Sequence, residues 1–315
     1  MLNDFIIKDH SILPGEKKVI DYQIARLPSG TMIDMPIFIH RSMSKGPALL
    51  LLGGLHGDEV NGIEIVRRMI AQGFFDNIIS GTIVAIPVLN VFGFLNYSRD
   101  LPDGKDVNRS FPGDANGSLA SRVANHLTKY ILPVIDYGID FHTGGASRTN
   151  YPQIRYALED KNSELLAKAF AAPVTLNSNL IPKSLRHHAS KMGKPIIVYE
   201  GGESMRFDEY AIQQAIEGTK RVMSYLGMIN EPYEEKESIL LKSSSWIRSQ
   251  RSGLFKFFVS SGESVSKNQL LGVINDPYGQ YEVEVFSKTD GFVIGHNNSP
   301  VVHQGDALFH IGKLN

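Results

Sequence analysis

Cysteine is absent from the 315 residues, and this excludes disulfides, thiolate catalysis and cysteine-bound zinc together. Any metal must be held by histidine, aspartate or glutamate. Net charge is nearly absent too: 32 Lys+Arg against 33 Asp+Glu leave −1, so there is no electrostatic case for nucleic acid as a partner. The apolar runs fall far short of a membrane span, and the start MLNDFIIKDH lacks a basic region followed by a sustained apolar one. We therefore expect a cytoplasmic protein. No GxGxxG, GxxxxGK or GxSxG occurs, so dinucleotide, P-loop and serine-hydrolase chemistries lack their motifs. What is present is an ordinary globular composition, 42% hydrophobic and 21% charged. The length suffices for one large α/β domain and a smaller second one.

The chain is organised around residues 53 to 62, GGLHGDEVNG. They follow the apolar run Ala48 to Leu52 and precede a helical pattern of Val60, Ile63, Val66 and Ile70, which together read as buried strand, glycine turn and helix start. His56 and Glu59 stand three apart. If the helix begins near Asp58, an imidazole and a carboxylate converge beyond the strand's carboxyl end, a metal site in outline. The competing interpretation of this pair is a helix cap plus a hydrogen-bonded histidine. Gly53, Gly54 and Gly57 give backbone freedom and room for a ligand to approach.

Residues 1 to 47 read as an antiparallel pair, Val19 to Ile24 and Met32 to Ile39, joined by a turn at Leu27 to Gly30. Gly81 to Leu89 repeats the buried-strand signature. Strand, helix, strand implies a mostly parallel sheet with covering helices, and functional residues belong in the loops beyond the strands' carboxyl ends. The long loop Asn90 to Gly117 carries Arg99, Asp106, Asn108 and Arg109. Forked guanidinium donors and an asparagine suit a carboxylate or a developing oxyanion, although loop arginines also pair with surface acids.

A helix with Leu119, Val123, Leu127, Tyr130 and Ile131 on one face leads to a strand Asp136 to Phe141, which ends in His142 and glycines. His126 lies inside the helical pattern and needs no role. From His56 to Glu59 there are 2 intervening residues, and from Glu59 to His142 there are 82. A catalytic zinc site with an open fourth position commonly has this close pair and distant third. Gln153 to Leu158 reads as a strand, Glu164 to Ala171 as a short helix, and Pro195 to Tyr199 as a buried strand ending in Glu200. Near a cation such a carboxylate can take a proton from water and pass it to a leaving amine. Otherwise it caps a helix or meets a surface arginine. The amphipathic stretch Phe207 to Leu226 packs on the sheet.

With GGLHGDEVNG, DVNRSFPG, DFHTGG and VYEGGE in place, residues 48 to 205 resemble the succinylglutamate desuccinylase and aspartoacylase family, which is related to the zinc carboxypeptidases. The resemblance implies an α/β fold with a mostly parallel or mixed central sheet and helices on both faces. It implies one zinc per chain held by His56, Glu59 and His142, with Glu200 as general acid and base and Arg99 stabilising the oxyanion. Asn108 and Arg109, with Arg186 as a further arginine, would bind the substrate. The implied reaction is zinc-dependent hydrolysis of a small N-acyl amino acid. Gly201, Gly202 and Glu203 differ from the proline-containing segment of aspartoacylase and argue against N-acetylaspartate as the substrate. The alternatives are a metallocarboxypeptidase that removes a peptide's last residue and a zinc-dependent binding protein without catalysis.

The charged segment Glu231 to Glu237 reads as a linker, which divides the chain into a catalytic part, 1–230, and a small C-terminal all-β part, 231–315. Within the latter, residues 253 to 312 look like a lipoyl or biotinyl type sandwich. Its expected hairpin, Asp276 to Gln280, lacks the lysine that carriers modify. We read this part as structural and as shaping access to the site. His296, His303 and His310 are assigned to no site.

Overall fold

A computed structural model describes residues 4–157 and 159–314. The fold is α/β, a long mixed sheet covered by helices on both faces and continued by C-terminal β structure. At its centre Ile196–Glu203, Tyr137–Gly144, Ala48–Leu52 and Thr82–Ile86 run parallel in that spatial order. The expected antiparallel pair is Lys17–Arg26 with Met32–Arg41, joined to Thr82–Ile86 at one side. Chain order reverses between Ala48–Leu52 and Tyr137–Gly144, because the path first steps to one side and then returns to the other. In open α/β sheets the crevice at such a reversal, beyond the carboxyl ends, is where ligands bind.

The apolar run 48–52 is buried throughout because its alternate side chains serve two cores. Leu50 and Leu52 pack with Val84, Val123 and Leu185 on one face, whereas Leu49 and Leu51 pack with Val66, Phe141 and Ile212 on the other. The helix Val60–Ala71 has its inward stripe one residue away from the expected one: Gly62, Ile65, Val66 and Met69 are buried, while Val60, Ile63 and Ile70 are only partly so. Gly62 sets this rotation. A Cβ there would lie 2.4 Å from the Phe141 carbonyl oxygen, so the helix meets the strand backbone along its glycine.

Other boundaries move by a few residues. The helix after the long loop is α-helical over Leu119–His126 and π-helical over Leu127–Ile131. The strand read as Gln153 to Leu158 is Arg148–Tyr156, with Leu158 outside the described residues. The strands bearing His142 and Glu200 run on through those residues to Gly144 and Glu203.

Beyond residue 238, Gly291–Asn297 pairs antiparallel with Arg148–Tyr156, followed outward by Ala307–Lys313 and Ser243–Arg248. The central sheet thus continues without a break into the C-terminal segment, which also has a core of its own around Ile247, Phe255, Leu271 and Phe309. The hairpin expected at 276–280 joins Leu270–Asn275 to Glu282–Phe286, with the Asp276 carboxylate accepting from the backbone N–H of Tyr278, Gln280 and Tyr281. Among the described residues no helix is long and apolar enough to cross a membrane.

Candidate active site

The turn after Ala48–Leu52 works because two backbones pass very close. A Cβ on Gly57 would fall 1.9 Å from the Gly93 carbonyl carbon, and Gly54 adopts φ +57. These glycines therefore make room for neighbouring main chain and left-handed geometry, not for a ligand as their number suggested. The helix starts at Val60, leaving Glu59 at the N-cap position, yet its carboxylate does not cap. Glu59 Oε1 lies 2.7 Å from His56 Nδ1, and Oε2 lies 2.7 Å from His142 Nδ1 while accepting from the Thr143 N–H at 3.1 Å. All three side chains are buried. One ligand atom from each of His56, Glu59 and His142 can be chosen so that all lie within 4.8 Å of one another.

The far nitrogen of each imidazole faces another acid. Asp106 Oδ1 stands 3.2 Å from His56 Nε2, and Asp140 Oδ2 stands 2.9 Å from His142 Nε2. Carboxylates behind ligating histidines fix ring orientation and raise basicity. Burial alone would lower the pKa of His56, but Glu59 and Asp106 outweigh it and the value rises. For His142 burial is likewise overcome, by Asp140 and Glu59, and its pKa is well raised. Burial opposes charge on Glu59 too, yet the imidazoles pull its pKa well below the carboxylate range. The site is thus a buried point whose field favours positive charge. Two imidazoles and a carboxylate fit a borderline divalent ion such as zinc.

Arg99 reaches the cluster from the side, with Nη1 at 3.2 Å from Glu59 Oε1 and Nη2 at 3.0 Å from Asp106 Oδ2. Asn108 and Arg109 lie in a short 3-10 helix, Val107–Arg109, capped by Asp106. Asn108 Oδ1 accepts from the Leu185 N–H at 2.9 Å, which ties this loop to the helix carrying Arg186. Glu200 has both oxygens engaged: Arg155 Nη1 is 3.1 Å from Oε1, and Asn150 Nδ2 donates to Oε2 at 2.8 Å.

All eight residues singled out from the sequence, His56, Glu59, Arg99, Asn108, Arg109, His142, Arg186 and Glu200, line a single cavity of about 510 Å³. Sequence reasoning missed other members of its wall. Asp140 had a readable signal, an acid two residues before His142 on the same face of an apolar strand. Asn150, Arg155 and Arg148 had none, because they reach the cavity through the pairing of Arg148–Tyr156 with Ile196–Glu203 and Gly291–Asn297. Trp246, the single tryptophan, enters the cavity wall from the C-terminal segment.

Residues 45–226 match the succinylglutamate desuccinylase/aspartoacylase catalytic domain. N-alpha-acetyl-L-2,4-diaminobutyric acid deacetylase of Halomonas elongata is 27% identical over 287 residues, covering 86% of this chain and 83% of that protein. Among solved structures, a succinylglutamate desuccinylase/aspartoacylase from Rhodobacter sphaeroides superposes with a TM-score of 0.86 at 23% identity, over 95% of this chain and 96% of that one. The product-bound ectoine utilization protein EutE (DoeB) from Ruegeria pomeroyi gives 0.86 at 24% identity, over 96% and 97%. At these identities the two structures speak for the fold.

Proposed function

The chain belongs to the succinylglutamate desuccinylase/aspartoacylase family, and from that premise we propose that it is a zinc-dependent amide hydrolase releasing the acyl group of a small N-acyl amino acid. One observation carries the proposal: the buried His56, Glu59 and His142 cluster opens into the same cavity as Glu200 and the Asn108–Arg109 pair. Zinc held by those three residues, one per chain, would polarise the scissile carbonyl and lower the pKa of water from 15.7 to about 7.

The remaining work falls to the protein's own groups. Glu200, its direction fixed by Arg155 and Asn150, accepts a proton from the attacking water and returns it to the leaving nitrogen. Arg99, whose guanidinium already lies against the cluster, donates to the developing oxyanion, a contribution of roughly 3 kcal/mol for a well-placed donor. Arg109 is exposed on the cavity rim, pairs with no acid among the described residues and takes the α-carboxylate, with Asn108 and Arg186 on the same side. The same proposal makes 1–230 the catalytic part and 231–315 an accessory part that shapes the cavity, since Trp246 lies on its wall.

Glu200→Gln is the test. Metal content should be unchanged while turnover of a panel of N-acyl amino acids, followed by release of free amine, falls by at least about 10²-fold. Near-normal turnover would move the acid–base role elsewhere, with Glu203 the first residue to try. A parent enzyme that cleaves peptides and ignores the acyl amino acids would make the carboxypeptidase alternative the better description.

A further inference from the structure

Between Tyr137–Gly144 and Arg148–Tyr156 the chain must pass the strand that bears Glu200, because Ile196–Glu203 lies between the two and pairs with both. Residues 145–147 make this crossing. Their inner side closes on the candidate metal site: a Cβ on Gly145 would stand 3.7 Å from Arg99 Nη1 and 3.9 Å from Glu59 Oε1, and Gly145 and Ala146 line the cavity. The backbone of the crossing is held in an unfavourable form. Ala146 and Ser147 have φ of +53 and +60, and among the described residues they are the one adjacent pair of non-glycines in the left-handed region. A Cβ makes that region costly. Both residues are exposed, so no packing of their own side chains offsets the cost. Such a conformation persists only where its surroundings over-determine it. Here the surroundings include Asn298, just beyond Gly291–Asn297 in the C-terminal segment. Its backbone N–H donates to the Ser147 carbonyl oxygen at 2.8 Å, and its Nδ2 donates to Thr149 Oγ1 at 2.7 Å.

We propose that Asn298 is a positioning residue: it clamps residues 145–147 in their left-handed form and so keeps the main chain of the crossing against Arg99 and Glu59. Without the clamp, Ala146 and Ser147 relax toward negative φ and the crossing lifts from the cluster. The Arg99 guanidinium, whose side chain is already 40% exposed, then gains room to leave the place where it meets the developing oxyanion. Asn298 itself is absent from the cavity wall and acts only through the backbone it holds. A group that matters in the transition state and not in substrate binding shows itself in kcat and leaves KM alone. The proposal rests on the deacylase reading, in which Arg99 stabilises that oxyanion. It gives the C-terminal segment a task beyond placing Trp246 on the wall, since one of its residues sets the geometry at the metal end.

The experiment measures kcat and KM of the zinc-loaded, full-length protein on the N-acyl amino acid it hydrolyses best. Asn298→Ala should lower kcat about fivefold, the effect of losing one neutral hydrogen bond, with KM and zinc content unchanged. Thr149→Val deletes the same bond from the other side and should cost as much, and the two together should cost no more than either alone. Adding Ala146→Gly and Ser147→Gly to Asn298→Ala should bring kcat back to within about twofold of the parent, because glycine takes the left-handed region freely. A lower melting temperature with normal kcat would make Asn298 merely structural and overturn the proposal. A loss carried by KM, or one that the glycines leave in place, overturns it too. If Asn298→Ala does not fold, Thr149→Val with and without the glycines carries the comparison. If the parent hydrolyses no N-acyl amino acid, the deacylase reading fails by itself, and amide hydrogen exchange then decides the clamp. Faster exchange across residues 144–149 in Asn298→Ala supports it, and unchanged exchange overturns it.

Discussion

Asp140 sits in an apolar strand, Tyr137–Gly144, with its carboxylate 2.9 Å from the Nε2 of His142. A buried acid in such a place is costly unless it has a partner, and the partner here is a proposed metal ligand. Asp140→Asn should therefore lower zinc affinity by about 10- to 100-fold while the fold persists, as measured by competition with a chromophoric chelator. Unchanged affinity would reduce Asp140 to a space-filling role. At this scale the sequence was informative wherever a functional side chain closed an apolar run beside glycines, as His142 and Glu200 do, or sat in a glycine turn, as His56 does. It was silent for Arg148, Arg155 and Trp246. Their place in the cavity depends on pairings such as Gly295 with Asn150 and Trp246 with His310, between segments about sixty to a hundred and fifty positions apart, and no local period encodes such a contact.

The helix Val60–Ala71 carries an acid that local pattern reading would leave in solvent. Glu64 is largely buried and accepts from Arg67 Nε at 2.6 Å and from Arg68 Nε at 2.6 Å, while Arg68 also donates to Glu209 at the start of the helix Glu209–Tyr225. Its place follows from the one-residue rotation that Gly62 imposes, since position 64 then turns toward the neighbouring helix. Hydrogen bonds from Arg67 hold the Glu64 carboxyl down to about 2. A carboxyl held below its unfolded value adds stability that is fully present above about pH 4.5 and is lost as pH falls toward 2. Glu64→Gln should cost about 1 kcal/mol at pH 6, and its melting temperature should converge on the parent's near pH 2. Scanning calorimetry of metal-free protein across that range is the measurement, and a gap that persists undiminished at pH 2 would rule out the ionised pair as its source.

Taken whole, the molecule is nearly neutral, and its positive potential is local. A second cavity of about 490 Å³ adjoins the first through Arg109 and is lined by Lys105 and Lys183, with Asp114 as its acid. Cations at an entrance raise the encounter rate with anions and lose that effect as salt screens them. Raising ionic strength from about 0.05 to 0.5 M should lower kcat/KM for an N-acyl amino acid several-fold, and lower it less for the amide-capped analogue. Equal responses would remove steering from the account. The α/β architecture was legible because its buried strands and amphipathic helices carry their own periods. The join between the central sheet and the C-terminal strands was not, because both partners read simply as strands.

That join also governs how the cavity can open. The strand carrying Arg148, Asn150 and Arg155 is hydrogen-bonded on one side to the strand of Glu200 and on the other to Gly291–Asn297, so the strands that wall the cavity belong to one sheet and do not swing apart as separate bodies. Entry and exit are left to side chains and rim loops, such as the one bearing Arg109, moving on timescales faster than domain hinging. A turnover rate limited by this protein's motion would then report the swing of a few rim residues, with no clamshell to close.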